Sequence, residues 1–369
     1  MQRNVTGVIA VLLLLLLGAC QSSGGTSSPP TNTAESVFLG GCDKAEGPLR
    51  LYMWYEEVVP EVLEQFEARY GVELSYETYS SNEEMLETLR DGETTYDMVF
   101  PSDYAVQIMI EQGMAEKLNK NNIPNRANLT TVLAYYYDPS NEYSMPFQWG
   151  TTGIAYNSKY VDPPPDSWAV LFDPAIAGPY AGKFTMLNEE RESIGAALIY
   201  LGYSVNDTNP SHLGEAQTLL EAQKLLLAGY DSENFSDALV SEEIYLAHAW
   251  SGPAALAASQ NDDIRYVIPK EGAVIWMDNM VIPTGAAHKC TAELFMNYML
   301  EAEVAAQVSS RTFYNSPVPS SEPLFAAGTR DVLSKGFAIN NETINRLEWI
   351  EYLGDVGFYT EVWEEITSP

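Results

Sequence analysis

The sequence predicts an α/β protein made of two successive strand-helix sets, each a mostly parallel sheet flanked by helices. Three observations carry that expectation. Short apolar runs alternate with helical periodicity from residue 49 onward, and a second alternation of the same kind begins after Gly150. The third is composition: 46% hydrophobic and 11% aromatic residues over 369 positions suffice for about two domains with cores of their own.

In chain order, Leu49 to Trp54 reads as a strand. Val62, Leu63, Phe66 and Tyr70 then recur at helical spacing and stop before Gly71, and Val72 to Tyr76 reads as the next strand. Ser81-Asn82-Glu83-Glu84 has the form of a capping box ahead of Met85, Leu86 and Leu89. Met98-Val99-Phe100 is a short buried strand closed by Pro101, followed by a helix over Tyr104 to Gln112. In the second set Gly153 to Tyr156 and Phe184 to Leu187 look like strands, while Ile194, Ala197, Leu198 and Leu201 stripe a helix that ends at Gly202. The polar segment Asn206 to Ser211 precedes another helix reaching to Leu227. Sheets wound in this way bind ligands outside the carboxyl ends of their strands.

The N-terminus is of another kind. Arg3 precedes an apolar run from Val8 through the six leucines Leu12 to Leu17, and Gly18, Ala19 and Cys20 follow. A run of ten residues is too short to span a bilayer, which takes about 20, and fits the apolar core of a signal peptide. The ending Leu17-Gly18-Ala19-Cys20 resembles a bacterial lipobox, which implies cleavage of residues 1–19 and a lipid on Cys20. Residues 20–45 then form a flexible tether, since Gln21 to Thr33 offers almost nothing apolar to bury. Export leaves Cys42 and Cys290 in an oxidising compartment, and these two are expected to form a disulfide.

Charge excludes one class of function. With 51 acidic against 19 basic side chains and a net charge of −32, the chain has no basic footprint for nucleic acid. Cysteine spacing matches no zinc pattern, and His212, His248 and His288 lie far apart, so no metal is expected. Phosphate-binding, dinucleotide-binding, nucleophile-elbow and zinc-protease motifs are all missing from the sequence.

What remains is acids beside aromatics in three places. Asp278 is the lone charge in the apolar run Val274 to Pro283, and period-2 geometry puts it on the same face as Trp276. It either pairs with something if buried or is an ordinary strand-end acid in a turn. Glu189, Glu190 and Glu192 open the helix over Ile194 to Leu201, where acids also favour the macrodipole. Trp54-Tyr55-Glu56-Glu57 ends the first strand, at a place where ligand loops begin.

The succession Leu51 to Phe66, Ser80 to Glu83, Tyr96 to Tyr104, Pro146-Phe147-Gln148-Trp149-Gly150 and Pro269 to Pro283 resembles the spermidine/putrescine-binding proteins of bacterial polyamine ABC transporters. The likeness runs in order from about residue 48 to 365, and the stretch around Trp276-Met277-Asp278 is its most specific part. It implies a two-lobed type II periplasmic-binding-protein fold, each lobe a mostly parallel sheet flanked by helices, with the ligand in the interlobe cleft. The chain would cross between lobes near Gly150 to Ile154 and near Trp276. Lobe 1 is then discontinuous, comprising residues 46–152 and 276–330, and lobe 2 comprises 153–275 and 331–369.

The resemblance also implies roles. Trp54, Tyr104, Trp250, Trp276 and Tyr314 match an aromatic box around the polyamine's methylenes. Glu189, Glu192 and Asp278 match the acids that bind its amino groups, Glu56 sits at an acidic position, and Ser102 lies beside the box. Glu57 stands where the family places a ring, and is expected either to enter the cleft as an added ligand carboxylate or to point outward as a helix-start acid. A polar amide position of the family falls around Ile350 or Glu351.

The implied protein is an extracytoplasmic lipoprotein, monomeric and without cofactor or metal, held by Cys20 in the periplasm or at the outer face of the cell membrane. It would capture a polyamine and deliver it to an ABC transporter permease, without enzymatic activity. The alternatives are a binding protein of the same fold for another cationic or small solute, and an exported hydrolase with paired carboxylates.

Overall fold

The computed structural model describes residue 42 and residues 45–92, 95–131, 133, 135–337, 339, 341–354 and 357–368. The chain divides into Met1–Val37 and Phe38–Pro369, and every described residue belongs to the second unit. The expected leader of residues 1–19, the expected lipidation site Cys20 and most of the expected tether lie outside the described residues.

Among the described residues ten strands join in one sheet. They are β1 (Leu49–Trp54), β2 (Leu74–Tyr79), β3 (Met98–Val99), β4 (Ser144–Asn157), β5 (Phe184–Met186), β6 (Gly229–Tyr230), β7 (Leu246–Trp250), β8 (Ile264–Val267), β9 (Ala273–Val281) and β10 (Leu347–Trp349). Their order is β2-β1-β3-β9-β4-β7-β5-β6, with β10 added to β9 and β8 added to β4. Pairing is parallel in the two wings, β2-β1-β3 and β7-β5-β6. It is antiparallel between β3 and β9, β9 and β4, and β4 and its partners β7 and β8.

This is the two-lobed α/β arrangement expected, with one difference. The wings are not separate sheets, because β4 and β9 are long enough to belong to both. The first part of β4 pairs with β9 from Ser144 to Thr152, and its end pairs with β7 from Thr152 to Tyr156. Gly150 faces Trp276 across the β4-β9 ladder, so both crossings occur side by side. β4 is also longer than its sequence signal over Gly153 to Tyr156. Nearly all of its fourteen residues are buried on either face, which removes the polar alternation that marks a half-exposed strand.

Local chemistry explains the helices that flank the site. The helix Pro60–Tyr70 opens with proline and stops where Gly71 turns left-handed at φ 67° and donates its N–H to the Glu67 carbonyl. The helix Asn82–Asp91 has Ser81 as its cap, accepting from the Glu84 N–H at 3.2 Å, while Glu84 Oε2 accepts from the Ser80 N–H at 2.9 Å. The capping box expected from Ser81-Asn82-Glu83-Glu84 is therefore formed, with its return bond one residue further back.

Apolar side chains divide accordingly. Leu49, Leu51, Phe66, Phe100, Phe295 and Tyr298 pack under the first wing, with Tyr52, Tyr79 and Met109 among those on its other face. Trp168, Phe172, Phe184, Ile194 and Leu198 pack under the second wing, and Tyr359 and Ile366 from the C-terminal segment join them.

Cys42 and Cys290 form a disulfide with their Cα atoms 5.6 Å apart and a sequence separation of 248. Cys290 lies in the helix Lys289–Met299 of the first core, so the bond pins residue 42 to it. A long closed loop restrains the unfolded chain strongly. Replacing both cysteines by serine is expected to lower unfolding free energy by roughly 2 to 5 kcal/mol in a denaturant titration, and equal midpoints would contradict this.

Candidate functional site

The parallel strands β1, β3, β5 and β7 each deliver residues into one cleft from just beyond their carboxyl ends, where a wound sheet leaves room for a ligand. After β1 come Trp54 and Glu56, after β3 Ser102, Asp103 and Tyr104, after β5 Glu189 to Glu192, and at the end of β7 Trp250. The crossing strand β9 adds Trp276 and Asp278, and Tyr314 follows the helix Ala302–Thr312. The cleft holds about 710 Å³ of empty space, part of it open to solvent.

Ten of the eleven residues singled out from sequence thus meet in one place: Trp54, Glu56, Ser102, Tyr104, Glu189, Glu192, Trp250, Trp276, Asp278 and Tyr314. Glu57 differs from both expectations, for it neither lines the cleft nor points outward. The turn Tyr55–Glu57 aims Glu56 at the cleft, leaves Tyr55 at the surface and drives Glu57, only 2% exposed, into the interior behind Asp278. A three-residue turn cannot send adjacent side chains to the same side. Its Oε1 accepts from Gln148 Nε2 at 2.7 Å.

Neutral donors hold Asp278, Glu192, Glu56 and Glu83. Asp278 Oδ1 accepts from Ser102 Oγ at 2.7 Å, and Glu192 Oε1 from Thr152 Oγ1 at 2.9 Å and Trp250 Nε1 at 3.4 Å. Tyr314 donates to Glu56 Oε1 at 3.1 Å, and Tyr104 to Glu83 Oε1 at 3.0 Å. Glu192 Oε2 and the indole N–H groups of Trp54 and Trp276 are buried without a partner among the described residues. Unpaired polar atoms of this kind are costly unless a ligand meets them.

The rings are seated by glycine. A β-carbon on Gly150 would come within 2.4 Å of the Trp276 ring, and one on Gly252 within 2.4 Å of Tyr314. The close approach of the backbone at these two points lets Trp276 and Tyr314 meet edge to face at 4.8 Å.

Burial raises the acids above their ordinary range. Glu56 is pushed up to about 7, with Asp278 adding to the effect of desolvation, and Glu192 is pushed up to about 7 by desolvation. Glu189 and Asp103 are driven well up by the same cause, with neighbouring carboxylates contributing. The one guanidinium in the lining, Arg191, is turned to the Glu351 carbonyl at 3.3 Å, Asn206 Oδ1 at 3.0 Å and the Tyr359 ring. Among the described residues no group of three or more His, Cys, Asp and Glu side chains is placed to hold a metal ion.

Residues 61–332 match the family model of bacterial extracellular solute-binding proteins. The chain belongs to that family. It is 36% identical over 322 residues to the spermidine/putrescine-binding periplasmic protein of Escherichia coli K12, covering 86% of this chain and 89% of that protein. The solved spermidine/putrescine ABC transporter substrate-binding protein of Streptococcus pneumoniae is 30% identical and superposes at a TM-score of 0.75, over 87% of this solute-binding protein and 98% of that chain. A Treponema pallidum lipoprotein is 26% identical, with a TM-score of 0.77 over 87% and 99%.

Sequence reading passed over Asn82 and Glu83 as helix-start residues, and over Asp103 and Arg191, all of which line the cleft, as does Ile350, near which the family's polar amide position was expected. Asn82 spans the wall, accepting from the Ser102 N–H and donating to the Tyr104 hydroxyl, each at 3.1 Å. A cap that brackets a buried asparagine was the signal available. Asp103, 1% exposed, accepts from the Met277 and Tyr104 N–H groups and so ties β9 to the start of its helix.

Two predictions follow from the geometry. Gly252→Ala is expected to displace the Tyr314 ring from Glu56 and to destabilise the protein by about 1 to 3 kcal/mol while the fold persists, and an unchanged melting temperature would mean the ring has room. Glu56 and Glu192, raised in the folded state, contribute stability that is complete below their ordinary value near 4.5 and lost as pH rises through about 7. The lowered acids Glu142, Asp207 and Glu242 are surface pairs of small weight. Calorimetric melting of ligand-free protein should therefore fall between pH 6.5 and pH 8, above the range in which buried, neutral His248 adds stability with rising pH, and more steeply than for Glu192→Gln; a flat profile shared by both proteins contradicts the assignment.

Proposed function

We propose that this protein is an extracytoplasmic lipoprotein that captures a polyamine of the spermidine/putrescine type in its cleft and delivers it to an ABC transporter permease. The observation that carries the reading is the interleaving of several carboxylates with aromatic rings around a space whose lining holds a single guanidinium, that of Arg191. Glu56, Glu189, Glu192 and Asp278 alternate there with Trp54, Tyr104, Trp250, Trp276 and Tyr314.

A polyamine is a flexible apolar chain carrying several ammonium groups. Its methylenes need flat walls, and each ammonium over a ring face gains about 0.5 to 2 kcal/mol. Each charge also needs a carboxylate, because an unpaired ion in a closed cleft is prohibitive. The cleft supplies both, and its empty acceptor on Glu192 Oε2 is of the kind an ammonium satisfies. The names of the relatives in Escherichia coli and Streptococcus pneumoniae support the same ligand class.

On this reading residues 46–152 and 276–330 form lobe 1 and residues 153–275 and 331–369 form lobe 2, a division that the separate apolar cores support. Closure of the lobes about β4 and β9 brings Glu189 and Glu192 toward Trp54 and Asp278. Cys20 carries the lipid that holds the monomer at the membrane, as the lipobox-like Leu17-Gly18-Ala19-Cys20 implies. The chemistry required is binding and release, with no catalytic step.

The test is Asp278→Asn, which keeps shape and the Ser102 contact but removes the charge. Its polyamine affinity by titration calorimetry is expected to fall by roughly 2 to 5 kcal/mol, the cost of a buried charge without its partner, with melting behaviour retained. Unchanged affinity removes Asp278 from the site. A thermal-shift panel in which lysine or a sugar stabilises the protein while putrescine and spermidine do not would overturn the ligand class.

A further inference from the structure

The carboxyl of Glu57 is a buried acid that the cleft does not use directly. Its Oε1 accepts from Gln148 Nε2 at 2.7 Å, while Oε2 is buried with no donor among the described residues. Gln148, which holds the Glu57 carboxyl, stands opposite Asp278 in the β4-β9 ladder, so the two carboxyls are neighbours and each acts on the other's charge. On its other side Glu57 meets apolar surface, including Met53, Phe100, Phe147 and Met299.

Two neighbouring carboxylates have four acceptor oxygens and no proton between them. One O–H on Glu57 resolves this, because it gives Oε2 a bond to make and Asp278 a donor. Of the groups that face Glu57, Asp278 from β9 and Glu56 from its own turn oppose a second negative charge, the phenols of Tyr79 from β2 and Tyr314 bring no positive charge, and the Gln148 amide alone favours the ionised form, by less than burial opposes it. Burial and the neighbouring charge on Asp278 both drive the Glu57 carboxyl well above its ordinary range.

We propose that Glu57 is a positioning residue of the cleft, which shares one proton with Asp278 and surrenders it to solvent when a cation docks on the exposed side of Asp278. The pair then carries one negative charge while the cleft is empty and approaches two when it is filled. The step is an ionisation: the Glu57 O–H bond breaks, its electron pair stays on the carboxylate, and the proton passes to the buffer. A cation beside Asp278 stabilises the ionised pair whatever the local dielectric, so binding and proton release are linked in sign. Ligands with more charge at that end release more of the proton, which makes discrimination by charge increase with pH.

The proposal rests on the polyamine reading only for its probes. Spermidine and putrescine are titrated into wild-type protein and Glu57→Gln by calorimetry between about pH 6 and pH 8, in buffers of different ionisation heat. Wild type is expected to release more protons per ligand than Glu57→Gln, by at most one, with a steeper gain in affinity as pH rises and a larger release for spermidine. Equal proton counts with parallel affinity profiles overturn the proposal. A second measurement needs no ligand: the side-chain carboxyl carbon of Glu57, followed by NMR in ligand-free protein at neutral pH, should report the protonated form, and an ionised signal there overturns it. If neither amine binds wild type, the polyamine reading fails, and the NMR signal still decides where the proton sits.

Discussion

An acid placed in a cleft without a cation of its own must take up a proton or wait for a ligand that brings the opposite charge. That constraint shapes the centre of this molecule. The neutral donors Ser102, Thr152, Trp250 and Tyr314 orient carboxylates without neutralising them, and Arg191 gives its two terminal nitrogens to the Glu351 carbonyl and Asn206 while offsetting the rise of Glu192 only in part. The helices Asp103–Glu111, Glu190–Leu201 and Ser251–Gln260 all begin at the cleft, so their positive ends temper the acids without cancelling them.

The scaffold follows from the need to bring such groups from distant parts of the chain. Parallel wings place strand ends together, and β4 and β9 pass between the wings with Gly150 and Trp276 in register. Because Gly150 and Gly252 have no side chains, the Trp276 and Tyr314 rings can lie directly on backbone. Ring position is thereby set by main-chain packing, which is stiffer than side-chain contact. The same crossing strands are the natural axis for any movement that opens and closes the cleft.

Most of the fold was legible in the sequence. The apolar run Leu49 to Trp54, the caps at Ser81 and Gly71 and the stripe over Ile194 to Leu201 are local signals, and each marks the element found. β4 was legible only at Gly153 to Tyr156, because a strand buried on both faces has no alternation to read. The pairing of β4 with β9 is a long-range register that no local pattern encodes. Among the residues that line the cleft, Trp276 and Asp278 stand out by period-2 geometry and the strand-end acids by their position and the family resemblance. Asn82 and Glu83 were hidden behind the bland reading of a helix start, and Glu57 was misplaced because a short turn settles the direction of each side chain by backbone geometry that the residue types do not reveal.

Matching of charge across the cleft is the proposed hold on the ligand, with the rings providing a fitted but unspecific wall. It is tested most directly by titration calorimetry of ligand-free protein with 1,4-diaminobutane, n-butylamine and 1,4-butanediol at one pH, three molecules of nearly equal length that differ in ammonium count. The account expects the diamine to bind, the loss of one ammonium to cost roughly 2 to 5 kcal/mol, and the diol to show no binding. Comparable affinity for all three would mean that the rings alone hold the ligand and that the acids serve some other purpose.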